Sequence, residues 1–129
     1  MVVPSGLRHL TPRRMKTAPK LRVRESKTGA SRLVELTKKE TAVVYYGFTF
    51  SDDGETAHCR EAYENAEGLK AHMANVGSAL GELLASGCCE LVRIELHGPA
   101  SELAKLRDDE AIKPLNPVCF TLQDGAICK

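Results

Sequence analysis

The stretch from residue 41 to residue 76 constrains the fold more than any other. Residues 41–50 read TAVVYYGFTF, and Val, Tyr, Phe and Thr are side chains that suit a pleated, half-buried surface. Ser51-Asp52-Asp53-Gly54 follows, a turn in which glycine can take positive φ. TAHCREAY at 56–63 alternates again, with Cys59, Glu61 and Tyr63 on one face and His58, Arg60 and Ala62 on the other. Asn65 is a good N-cap, Glu67 suits the positive end of a helix dipole, and Ala66, Leu69, Met73 and Val76 trace one helical face. An antiparallel hairpin that runs directly into an amphipathic helix points to an α+β fold.

The flanking segments extend this unit. Leu21 and Val23 alternate with charges and predict a strand at about 20–25. Ala30, Leu33, Val34 and Thr37 predict a short helix at about 29–40, with Glu35, Lys38 and Lys39 toward water. In the helix after Asn65, Gly77 reads as an interruption, Ser78 as a new cap, and Gly87 as the end. Leu91 to His97 reads as a strand with Val92, Ile94 and Leu96 inward. A short helix at 100–108 and a strand at 118–122 complete the chain. The order β-α-β-β-α-β is the ferredoxin-like split βαβ pattern, an antiparallel sheet with helices on one face. The other face needs a cover. A second copy is the simplest one, giving a homodimer joined through the open sheet face, and the last strand could cross to that partner.

Charge is divided unevenly along the chain. Residues 1–27 hold eight basic side chains against Glu25 alone, while the whole chain nets +1, so the remainder is acidic. Residues 1–19, broken by Pro4, Pro12 and Pro19, read as a disordered basic leader with the composition of an organelle transit peptide. A single domain then occupies 20–129. The acidic body has no basic stripe, which argues against nucleic-acid binding. No apolar run approaches the ~18 residues of a membrane span. An intracellular, cytoplasmic protein is expected, with organelle import as the variant the leader allows. The cysteines (Cys59, Cys88, Cys89, Cys119 and Cys128) lack metal spacing and read as buried thiols in a reducing compartment. No phosphate loop, dinucleotide fingerprint or nucleophile elbow occurs, and neither a metal nor a cofactor is expected.

The run Glu61-Ala-Tyr63-Glu-Asn65-Ala-Glu-Gly-Leu69-Lys-Ala-His72 resembles the strand-to-helix junction of the antibiotic biosynthesis monooxygenase (ABM) superfamily. Glu61, Tyr63, Asn65, Leu69 and His72 sit at the matching offsets, and the resemblance covers about 41–122. It implies a dimeric α+β barrel. It also implies a pocket between sheet and helices, with Glu61, Tyr63 and His72 as candidate catalytic residues. Tyr45 or Tyr46, Phe48, Phe50, Met73 and Asn65 are candidate ligand contacts. The two tyrosines point to opposite faces, and parity alone does not say which one lines the pocket.

In a cofactor-free oxygenase the protein removes a proton from a phenol or hydroquinone, and the anion gives an electron to dioxygen. Histidine is the natural base, a carboxylate could orient it, and a tyrosine could bond the substrate oxygen. Three readings follow. The first is cofactor-independent oxidation of a small aromatic or quinol. The second is a non-catalytic dimerisation or small-ligand-binding domain of the same fold, which the absence of Trp favours. The third is haem binding through His72.

Overall fold

The computed structural model describes residues 5–11 and 19–126, with side chains from residue 23 onward. The chain runs β1 (Ser5–Thr11), α1 (Pro19–Thr37), β2 (Val43–Phe50), β3 (Ala57–Tyr63), α2 (Ala66–Ala85), β4 (Glu90–Gly98), α3 (Ala100–Leu106) and β5 (Val118–Thr121). One five-stranded sheet has the order β2-β3-β1-β4-β5. β1 pairs antiparallel with both β3 and β4, and β2 pairs antiparallel with β3. The first four strands make the ferredoxin-like arrangement, and β5 adds in parallel beside β4.

The order of elements is the expected one, but the first strand comes from a different part of the chain. Residues 20–25 lie in α1, so the strand expected there is helix. The true first strand lies inside the segment that reads as a disordered leader, and it is the middle of the sheet. Tertiary pairing on two sides overrides the basic, proline-flanked composition. The domain therefore begins before residue 20. Cys128 and residues 12–18 of the expected leader lie outside the described residues.

Local chemistry accounts for the hairpin and for α2. At the β2–β3 turn Gly54 has φ 73°, and Asp53 Oδ1 accepts from Ser51 Oγ at 2.7 Å and from the Glu55 N–H at 2.9 Å. At the start of α2 two first-turn N–H groups find side-chain acceptors. Asn65 Oδ1 takes the Gly68 N–H at 2.9 Å, and Glu102, reaching over from α3, takes the Ala66 N–H at 2.7 Å. α2 then continues unbroken through Gly77, contrary to the expected interruption, and gives way to Gly87 at φ 76°. The face bearing Leu69, Met73, Val76 and Leu80 is buried, and packing against α1 and the sheet outweighs the local cost of glycine.

Two bulges set the facing of the edge-side residues. In β2 the register slips between Val43 and Tyr45, so Val44 and Tyr45 are exposed, while Tyr46 is half-buried and packs among the core residues. In β4 the register slips at His9/Leu10 of its partner, and Val92 is the unpaired residue. Leu91, Ile94 and Leu96 then face the core, and Val92 is 58% exposed rather than inward. The core comprises two clusters. One gathers Tyr63, Leu69, Met73, Ile94, Leu96, Leu103 and Leu106; the other gathers Leu33, Val76, Leu80, Leu83, Cys88 and Cys89. β5 pairs in parallel with β4 of its own chain.

Candidate functional site

Between α2 and the inner face of the sheet lies a group of polar side chains in an otherwise apolar layer. His72 sits near the end of the second turn of α2 and is fully buried. Its Nδ1 lies 2.8 Å from Glu40 Oε2 and 3.2 Å from Oε1, while Nε2 has no hydrogen-bond partner. The Tyr46 and Tyr63 rings flank the imidazole, with centroids at 4.8 Å and 5.4 Å. Behind them the Glu61 carboxylate, also buried, accepts from Tyr63 Oη and from Cys59 Sγ at 3.3 Å.

Glu40 reaches this group because of how α1 ends. Thr37 bonds back to the Leu33 carbonyl at 2.8 Å, and the Glu40 N–H closes a turn onto the Thr37 carbonyl at 2.9 Å. The chain swings over α2, where Asn75 is one turn past His72. Asn75 Nδ2 donates to Glu40 Oε1 at 2.8 Å and to the Leu36 carbonyl at 2.9 Å. This carboxylate is thus held on two sides. In the neutral imidazole, the tautomer that donates from Nδ1 to the Glu40 carboxylate has Nε2 as its acceptor. A buried polar atom left unpaired costs roughly 1–3 kcal/mol, and a hydroxyl arriving at Nε2 would recover it.

The sequence reading placed His72, Glu61, Tyr63 and Tyr46 among its candidates, and the structure brings these four together. The orienting carboxylate is Glu40, which that reading missed. Thirty-two residues separate it from His72, and no spacing rule links them. Tyr45 lies on the opposite sheet face, half exposed. Met73 belongs to the apolar core and Asn65 is a helix cap. Phe48 meets Tyr46 edge to face at 5.6 Å, and Phe50 lies under the Lys27 ammonium at 5.5 Å. His97 stacks on Phe120 at 4.6 Å on the uncovered face, far from this group in the sheet layering. The buried Cys88 and Cys89 sulfurs lie 3.9 Å apart, and burial together with the neighbouring thiol pushes Cys89 up to about 12, which makes it unreactive.

Haem ligation would occupy His72 Nε2, and a porphyrin needs an open face as wide as the macrocycle beside its ligating nitrogen. The enclosed imidazole offers none, so the residues here do not fit that group. Among the described residues no cluster of His, Cys, Asp and Glu could hold a metal ion, and no helix is long and apolar enough to cross a membrane.

No protein-family model matches the sequence, nor does any curated protein. Solved structures do match. MupZ from Pseudomonas fluorescens superposes with a TM-score of 0.83 at 29% identity, over 98% of this chain and 94% of that one. A protein from Bacteroides thetaiotaomicron, described as a possible oxidoreductase, gives 0.58 at 17% identity over 74% and 94%. A candidate antibiotic biosynthesis monooxygenase from Deinococcus radiodurans gives 0.57 at 15% over 74% and 89%. These likenesses give the chain its α+β, ferredoxin-like fold.

Proposed function

We propose that the chain is a small ABM-like oxidase that takes a proton from a phenol or hydroquinone at His72 Nε2 and passes the resulting electrons to dioxygen. One observation carries this reading: a buried imidazole whose Nδ1 is anchored by a carboxylate and whose Nε2 has no hydrogen-bond partner. That is the arrangement a general base requires. The ABM-like fold and the oxidoreductase-like neighbour support the same reaction class. A phenol with a free para carbon takes one oxygen atom of dioxygen there, giving the quinone and water; for a hydroquinone the balance is a dehydrogenation. His72 accepts one hydroxyl proton, and the anion is more readily oxidised than the neutral ring. Two electrons and two protons in total pass to one dioxygen, leaving the quinone and hydrogen peroxide. Tyr63 and Glu61, already bonded to each other, stand on the sheet side of the imidazole as the polar wall of the site.

We also propose that the chain is a homodimer joined through the uncovered sheet face. Tyr45, Val92, Val118 and Phe120 are exposed, and apolar side chains in such number are what a partner sheet would cover.

The reaction is tested with an oxygen electrode and a panel of hydroquinones and phenols, against a matched blank without protein. Protein-dependent uptake that falls on the order of 10²–10⁴-fold in His72→Gln is expected for a lost general base. Uptake equal to the blank for every compound, or undiminished in the variant, would reject the reading and leave a ligand-binding domain of the same fold.

A further inference from the structure

Beside the buried group lies a cleft of about 210 Å³ between the end of α1 and the start of β2. Thr37, Glu40, Val43, Val44, Tyr45 and Tyr46 are among its walls. Two of these also touch His72: Glu40 through Nδ1, and Tyr46 through its ring at 4.8 Å. Tyr46 and Glu40 thus stand both in the wall of the cleft and against the imidazole.

We propose that this cleft admits a single-ring phenol whose hydroxyl bonds to His72 Nε2, with Tyr46 as the side chain that must turn aside to let it through. The inference rests on the base assigned to His72 and names the substrate class of that same site. Three features support it. Sites for drug-sized ligands usually measure ~300–1,000 Å³, and an engineered apolar cavity of ~150 Å³ holds benzene. A space of about 210 Å³ therefore suits one substituted ring, and three fused rings would have to project out of it. The chemistry of the walls matches as well. The valines offer apolar surface to the ring, and behind Tyr46 the buried His72 Nε2, which has no hydrogen-bond partner, asks for a hydroxyl. Finally, the β-bulge at Val44 lies on the edge strand and makes the mouth. It turns Val44 and Tyr45 outward together, where a regular strand would have sent one of them inward.

Histidine side-chain NMR of the full chain tests this, with 4-chlorophenol and the three-ring compound 9-anthrol as probes. The expected result is a saturable shift of the His72 signal with 4-chlorophenol, smaller or no shifts at His58 and His97, and none at His72 with 9-anthrol. Val44→Trp fills the mouth from an exposed position, and it should weaken 4-chlorophenol binding by about tenfold or more. Tyr46→Ala should make His72 respond to 9-anthrol. If His72 ignores 4-chlorophenol, if Val44→Trp binds it as tightly as the parent, or if the parent binds 9-anthrol equally well, the cleft is not the entrance. Oxygen uptake separates the two ideas. Uptake with three-ring phenols alone would retain the base and remove the cleft. Phenol binding at His72 with no uptake from any compound would retain the cleft and remove the oxidase.

Discussion

At the scale of single residues, a few carboxylates decide the chemistry and part of the stability. In the proposed reaction Glu40 is a positioning residue, acting on substrate through His72. Glu40→Gln can offer an amide N–H to Nδ1, which draws the proton onto Nε2 and spoils the acceptor. The expected loss in kcat is on the order of 10²-fold with KM little changed. Nitrogen chemical shifts of the imidazole should report the change of tautomer, a signature that mere loosening of the fold would not give. Glu102 works differently. The hydrogen bond from the Ala66 N–H, and next the contact with Lys105, hold its carboxyl below the usual glutamate range. A depressed carboxylate adds stability above its unfolded pKa and loses it as pH falls through the folded value. Glu102→Ala should therefore lower the melting temperature at pH 7, and the gap to the parent should shrink steadily as the pH falls below about 4. Equal gaps at pH 7 and at about pH 2 would contradict this.

At the scale of elements, the sequence was legible wherever a local period sufficed. The β2–β3 hairpin and α2 carry strong alternation, a turn glycine and a capping Asn, and they fall within a residue or two of expectation. The misreadings have one cause, which is contact between segments far apart in the chain. β1 looks like a leader because its partners lie about fifty and ninety residues away. Val92 looks inward because a bulge is a property of two strands, and one strand's alternation does not display it. Glu40 is only the last residue of an expected helix until α2 is packed beside it. For the site, the family resemblance along β3 and α2 supplied His72, Glu61 and Tyr63, and only the fold could supply the Glu40–Asn75 support. The continuity of α2 gives a prediction at this scale. Nothing lies within 4 Å of a methyl placed on Gly77, so Gly77→Ala gains helix propensity without a clash. Stability should rise by about 0.5–1 kcal/mol, read as a higher urea midpoint with unchanged slope.

At the scale of the whole molecule, the helices cover one side of the sheet and leave the other to water or a partner. Phe120 stands on that open side between His97, which stacks on it, and the Arg93 guanidinium 6.0 Å from the ring centre. Sedimentation should give twice the protomer mass, and Phe120→Glu, which places a charge in the middle of the proposed contact, should give the protomer mass with unchanged circular dichroism. A protomer mass for the parent at all concentrations would remove the homodimer. The position of β1 has a consequence of another kind, for the order of events as the chain is made. The middle strand of the sheet leaves the ribosome first, yet its pairing with β4 must wait for roughly ninety further residues. At about 5–20 residues per second that is a delay on the order of 5–20 s. Until then the nascent chain can hold its hairpin and α2, both local, but not its sheet. Closure around the earliest segment is thus a late event of synthesis.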